Sequence, residues 1–166
     1  MYFQPELTAD LSQGDIVVDC PILAWNLDAT DVSTRQSREY SVTVIVMSQA
    51  CDLAQGKSDR VVVAVVHRAQ RLVELGTLKP AQIRDQIRLH RIFGWYFLPA
   101  NGEFPESLVD LRDLHTVPRK LLEQLIADGK RACRLVTPYR EHLAQQFATT
   151  YARIALPEPY GTEVTD

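Results

Sequence analysis

The 166-residue sequence lacks several features that would assign a protein to a class at once. No apolar run approaches the roughly 18 residues that a helix needs to cross a bilayer. The N-terminal stretch MYFQPELTADLSQGD has neither a basic region nor an apolar core, so we expect no secretory signal peptide. There are no internal repeats and no low-complexity tracts. These absences argue against export and membrane insertion and favour an ordinary globular chain.

Cysteine is scarce as well. Cys20, Cys51 and Cys133 are odd in number and far apart, so they suit neither a disulfide framework nor a CxxC-type zinc site. Free thiols are typical of a reducing compartment. We therefore expect a cytoplasmic protein without a metal or a cofactor.

The chain is 46% hydrophobic and 23% charged, which is enough apolar content and length for one real core. Its net charge of −3 hides an asymmetry, because residues 112–153 carry eight Lys and Arg against four Asp and Glu. This basic segment favours either a phosphate-bearing partner or two helices with solvated, charged faces.

Strand-forming patterns fill the first two thirds of the chain. The runs VTVIVM and RVVVAVVH are almost entirely apolar and rich in β-branched residues, which is typical of buried strands. A short glycine-containing loop joins them, so together they predict a hairpin. Residues 26–39 are polar and rich in turn formers, and predict a long loop. We predict strands at residues 15–19, 42–47, 60–67, 95–98 and 107–111, and a short helix at 79–89.

Two helices are predicted after the last strand. Pro118 and Gly129 bound the first, as a first-turn proline and a C-terminal glycine do. Thr137 and Pro138 suit the N-cap and first position of the second, whose apolar residues recur every three or four positions as far as Ile154. Strands followed by helices predict an α+β fold. We expect one domain over residues 1–157, with helices at about 117–155 and a flexible tail at 158–166.

The candidate site follows the predicted strand at 42–47. Ser48, Gln49, Cys51 and Asp52 place a hydroxyl, an amide, a thiol and a carboxylate where that strand leaves the sheet. Cys51 is a candidate catalytic nucleophile if a histidine or a helix N-terminus activates its thiol, although a carboxylate facing the sulfur would oppose activation. The alternative is that Cys51 is a small buried apolar residue.

Further polar candidates lie in the C-terminal half. Asp52 is expected to pair with Arg112 or Arg140, which would tie a helix to the sheet without any catalysis. Arg140 and His142 either reach back towards the strand end or form the exposed basic face of the last helix.

The order of these pieces resembles the MazF/PemK toxin family. Gly14-Asp15-Ile16 matches its opening, Val44-Ile45-Val46-Met47-Ser48 resembles its apolar strand with a terminal hydroxyl, and residues 108–114 lie where that family has a late strand. The resemblance implies a small SH3-like antiparallel β-barrel at about 12–114, followed by two C-terminal helices.

The chain also resembles an uncharacterised group of bacterial proteins. The shared patterns are SQACDL at residues 48–53, VDLR at 109–112 and PYREHL at 138–143. This second resemblance spans most of the chain and implies no particular activity.

The MazF/PemK resemblance implies a binding module of bacterial conflict or defence systems. Its expected partners are RNA, a nucleotide or a protein, with homodimerisation as a further expectation and no membrane. The resemblance also implies an alternative, a metal-independent endoribonuclease in which Ser48 supplies the catalytic hydroxyl and Arg35 or Arg38 supplies the cation. A third hypothesis is a cysteine-dependent enzyme centred on Cys51.

Overall fold

The structure is a computed structural model that describes residues 1–25, 37–102 and 104–152. These residues form an α+β fold built on a seven-stranded antiparallel sheet, in the order β1-β7-β2-β3-β4-β6-β5. The strands are β1 (Tyr2–Phe3), β2 (Asp15–Trp25), β3 (Ser37–Val46), β4 (Arg60–Arg68), β5 (Trp95–Leu98), β6 (Ser107–Pro118) and β7 (Arg131–Leu135). The helices are α1 (Ala50–Ala54), α2 (Ala69–Glu74), α3 (Pro80–Gln82), α4 (Arg119–Ala127) and α5 (Tyr139–Tyr151), and α3 continues as a π-helical turn over Ile83–Ile87.

The predicted central hairpin is confirmed. β3 and β4 run antiparallel, with Val44 opposite Val65 and Val46 opposite Val63. Alternate residues of both strands are buried on opposite faces of the sheet, which explains why the sequence reads as an unbroken apolar run.

The sheet therefore has two apolar faces. The inner face carries a core closed at one end by Leu143 of α5, and the outer face carries a core covered by Leu122 and Ile126 of α4. Strand residues of the inner core include Ile16, Ile45, Ala64, Val109, Leu111 and Leu135. Strand residues of the outer core include Val17, Val44, Val46, Val61 and Val63.

The sheet curls around its inner face. The Tyr2 hydroxyl on β1 donates a 2.9 Å hydrogen bond to the Pro99 carbonyl, which directly follows β5. β1 and β5 are the two edges in strand order, so this bond requires the edges to approach each other. Breaks in register between Val17 and Cys20, and between Ala64 and Val65, provide the local bends that such curvature needs.

Several elements of the structure differ from the sequence prediction: β1 and α2 were not predicted, and β2 and β6 continue to Trp25 and Pro118. Strand β7 lies between the two predicted C-terminal helices and was not predicted. β3 begins at Ser37, so the last part of the predicted loop at 26–39 is strand, while residues 26–36 lie outside the described residues. The stretch after Ser48 contains α1 before its turn.

The two predicted C-terminal helices are present as α4 and α5, although α5 departs from prediction in detail. Thr137 makes no N-capping bond, and its hydroxyl instead donates to the Glu141 carboxylate at 3.2 Å. Of the predicted apolar stripe, Leu143 is fully buried, whereas Tyr139 and Tyr151 are 41% and 54% exposed. The predicted end of the stripe and the predicted tail lie outside the described residues.

Within the described ranges, no helix combines the length and the apolar character needed to span a membrane.

Candidate functional site

The Ser48 hydroxyl takes part in the sheet. β3 ends at Val46, but Met47 continues its pairing through a 2.9 Å bond from its N–H to the Val62 carbonyl. The Ser48 Oγ then accepts a 2.9 Å hydrogen bond from the Val62 N–H. The side-chain oxygen therefore replaces a backbone carbonyl at the end of the β3–β4 ladder, which is a structural role.

The structure does not bring Arg38 to Ser48. Arg38 is exposed and lies opposite Ala24, where β2 ends and β3 begins. Ser48 lies just beyond the other end of β3, on the order of 30 Å away along the chain at the usual rise of a strand. Arg35, the other cation considered, lies outside the described residues.

Cys51 is exposed in α1 and has only oxygen acceptors for partners among the described residues. Its sulfur lies 3.6 Å from Gln49 Oε1 and 3.9 Å from Asp52 Oδ1, and no histidine hydrogen bond to it occurs in the described chain. The other two thiols are buried: burial raises the pKa of Cys20 to about 11, and burial followed by the Asp15 charge raises that of Cys133 to about 12. Cys51 lies in the first turn of the five-residue α1, but its described side-chain partners are an amide oxygen and a carboxylate, with no cation or imidazole among them.

The predicted ion pairs across the fold are replaced by local ones. Asp52 accepts a 3.1 Å bond from Lys57 Nζ rather than from a C-terminal arginine. Arg112 forms a two-point contact with Asp110, at 2.8 Å for both bonds, and its guanidinium lies 4.8 Å above the Trp95 ring. Arg140 pairs with its neighbour Glu141 at 2.6 Å. The strand end and the C-terminal arginines are therefore not one polar cluster.

The basic C-terminal segment is largely neutralised by ion pairs. Six of its seven described Lys and Arg side chains bind a carboxylate: Arg112, Arg119, Lys130, Arg131, Arg134 and Arg140. Most of the positive charge over residues 112–153 is thus paired with carboxylates of the same chain.

The most buried of these pairs was not anticipated. Asp15, which is 0% exposed, accepts bonds from Arg134 Nε at 2.6 Å and Arg131 Nη1 at 3.3 Å. Arg131 Nη2 also donates to the carbonyls of Glu6 and Ala9, at 2.7 and 2.9 Å. These bonds hold the chain before β2 against β7, and they leave the carboxylate well satisfied.

Beside this cluster, the inner face of the sheet opens into a groove of about 570 Å³. Its floor consists of Val18, Thr43 and Val66 on three adjacent strands, with Thr43 directly opposite Val66. Because side chains alternate along a strand, these residues continue the face that buries Ile45 and Ala64. The groove is thus the open end of the inner face, opposite the end that α5 covers.

Two phenylalanines and one arginine give the groove its chemical character. Phe3 is 44% exposed, and Phe104 packs edge-on against Tyr2 with ring centroids 5.7 Å apart. Arg68 is exposed where β4 pairs with Ser107, and it makes no ion pair or hydrogen bond through its side chain within the described chain. Hydrogen-bonding side chains also line the groove: Gln4, Thr43, Asn101 and Ser107. Such a surface can stack a planar ring and bind an anion.

A second unusual cluster lies under the start of α5. His90 has φ +56°, a left-handed conformation that is uncommon for a residue with a β-carbon, and its buried Nδ1 has no hydrogen-bond partner among the described residues. Its ring lies 4.5 Å from that of His142, whose Nδ1 is 3.3 Å from the Tyr96 hydroxyl. Burial, and then Tyr139, raises the pKa of Tyr96 to about 12. This cluster holds α5 against β5.

Sequence reasoning missed the groove because its lining comes from distant parts of the chain. The one signal that the sequence offers is the polar Thr43 within an apolar strand. Among the described residues, no group of three or more His, Cys, Asp or Glu side chains is placed to hold a metal ion. No protein-family model matches the chain, and a search of curated proteins finds no significant similarity.

Proposed function

We propose that this protein is a binding module whose groove holds a nucleotide or a single-stranded nucleic acid, with RNA as the first candidate. The observation that carries the proposal is Arg68, an exposed guanidinium without a partner in the described chain, at a groove walled by Phe3 and Phe104. Arginine binds phosphate through two parallel hydrogen bonds, and each stacked base contributes about 1–3 kcal/mol.

The size and lining of the groove support this choice of ligand. Its volume of about 570 Å³ lies within the roughly 300–1,000 Å³ of typical ligand sites. The exposed Asn101 amide offers a donor and an acceptor for base or sugar edges, while the two phenyl rings provide apolar faces. A purely apolar ligand would leave these polar groups and Arg68 without compensation.

For the fold type we propose an SH3-like, MazF/PemK-type barrel, and for its biological setting bacterial conflict or defence. The approach of the two sheet edges through Tyr2 and Pro99 supports a barrel-like sheet. Three free cysteines favour the reducing cytoplasm that we propose as its location. Homodimerisation stays a prediction, which light scattering on the purified protein would test.

The two enzymatic hypotheses receive less support from the geometry. A ribonuclease site needs its hydroxyl and its cation at one phosphate, but Ser48 bonds to Val62 while Arg38 lies at the other end of β3. A cysteine enzyme needs an activating base, and the described partners of Cys51 are Gln49 and Asp52. We therefore place binding ahead of catalysis.

The test is a titration of fluorescein-labelled oligouridylate followed by anisotropy. Arg68→Ala and Phe3→Ala are each expected to weaken binding about fivefold to tenfold, since each removes one of the two proposed contacts. Arg71→Ala is the matched control, because Arg71 is exposed three residues further on and pairs with Glu74. Equal losses for Arg68→Ala and Arg71→Ala would show diffuse electrostatic attraction and refute binding in the groove.

A further inference from the structure

A second region with unpaired positive charge lies outside the groove. Residues 69–91 carry five Lys and Arg against two Asp and Glu. Arg84 pairs with Asp85 at 2.8 Å, whereas the exposed Arg88 and Arg91 have no carboxylate partner within the described chain. The hydrogen bond from Arg84, together with the charges of Arg84, Arg88 and Arg91, lowers the pKa of Asp85, so these guanidinium groups lie near one carboxylate. We call Arg84, Arg88 and Arg91 the arginine face.

An apolar slot of about 220 Å³ adjoins this face. It lies between α2, the α3 segment and β5, and its walls include Val73, Ile83 and Phe97. These side chains belong to a small core around Trp95 that is separate from the two main cores. Arg84 and Arg88 line the slot as well, so hydrocarbon walls lie directly beside positive charge.

We propose that the arginine face and slot together bind an acidic segment of a partner protein, with one bulky apolar side chain of that segment in the slot. The unpaired guanidinium groups complement carboxylates, and the slot is of a size for one side chain rather than for an extended ligand. Buried apolar anchors surrounded by charged contacts are the usual source of affinity at such interfaces.

The lining favours a peptide over a nucleic acid at this place. Apart from the arginines, its polar side chains are Gln70 and Glu106. Glu106 can accept hydrogen bonds from peptide N–H groups, which a phosphodiester backbone does not have. The groove has the opposite composition, with several neutral polar groups and no carboxylate among the described residues of its lining.

The test uses a fluorescein-labelled peptide of Glu and Ser with one central Phe, and the same peptide with Ser in place of Phe. The Phe peptide is expected to bind about tenfold more tightly, because the slot removes much of the apolar surface of the Phe side chain from water. Arg88→Ala is expected to weaken its binding about fivefold. Arg38→Ala, which removes an exposed arginine that does not line the slot, is expected to change it little.

Three results would overturn the proposal. One is equal affinity for the two peptides, or no measurable binding of the Phe peptide by the folded protein. The second is an equal loss on Arg38→Ala and Arg88→Ala, which would indicate attraction by net charge alone. The third is oligouridylate binding that is weakened by Arg88→Ala but not by Arg68→Ala, which would make the arginine face a nucleic-acid surface.

Discussion

The buried Asp15 pair gives the sharpest test of what holds this fold together. Asp15→Ala would remove the carboxylate that binds Arg131 and Arg134, while the Arg131 side chain remains 1% exposed. Removing one partner of a buried ion pair leaves an unpaired charge and typically costs about 3–5 kcal/mol. Arg131 keeps its bonds to the Glu6 and Ala9 carbonyls, so we expect the lower half of that range.

The assay is urea unfolding followed by circular dichroism, with Asp52→Ala as the control. Asp52 also pairs with a cation, but both partners are about half exposed, so its loss should cost less than about 1 kcal/mol. Asp15→Asn keeps an acceptor oxygen without the charge, so its loss in the free energy of unfolding should lie between those of Asp15→Ala and Asp52→Ala.

A cost below about 1 kcal/mol for Asp15→Ala would refute the reasoning, since the burial of Arg131 would then carry no penalty. The double variant Asp15→Leu with Arg131→Met adds a second check. Because it removes the buried Arg131 charge together with Asp15 and leaves only the less buried Arg134 unpaired, it should be more stable than Asp15→Ala.

Three further predictions concern pH, backbone and thiols. Burial, and then the charge of His142, lowers the pKa of His90. Below about pH 6.5 the unfolded chain therefore binds more protons than the folded one, and the free energy of unfolding should fall on acidification. Urea titrations at several pH values should show a smaller fall for His90→Gln. Gly94→Ala should lower the free energy of unfolding by roughly 1–2 kcal/mol or more, because φ is +86° and the new β-carbon would lie 2.9 Å from Arg112 Cδ. Thermal unfolding should show a smaller loss for Gly76→Ala, where the new β-carbon meets no neighbour. A thiol reagent should modify Cys51 alone in the native protein, and mass spectrometry of two or three rapidly labelled thiols would contradict the burial of the others.

The strands could be predicted where one residue type decides the pattern. β4 and the C-terminal half of β3 are valine-rich runs, and their burial on both faces follows from their composition. β7 could not be predicted in this way, because the alternation of RACRL is visible only if Arg131 counts as buried. Its burial depends on Asp15, 116 residues earlier, and a single sequence gives no indication of that contact.

The candidate site was harder to predict than the fold. Sequence reasoning identified reactive residue types at a strand end, but Ser48 completes the β3–β4 ladder and Cys51 lies on the surface. The groove instead depends on how far the sheet curls and on where the strands stop burying their side chains. Those are properties of the whole sheet, and neither Phe3 nor Arg68 carries a local pattern that marks it.

The groove and the slot adjoin where the end of β4 pairs with the start of β6. Arg68, the last residue of β4, and Ser107, the first of β6, line the groove. The adjacent residues in the chain, Ala69 at the start of α2 and Glu106 just before β6, line the slot. A single 2.9 Å hydrogen bond from the Ala69 N–H to the Glu106 carbonyl joins the two sides. If occupying one site shifts this bond, thermodynamic reciprocity requires each ligand to change the affinity of the other by the same factor. Titrating oligouridylate with and without saturating Phe peptide would measure that factor, and a value of one would show that the two sites are independent.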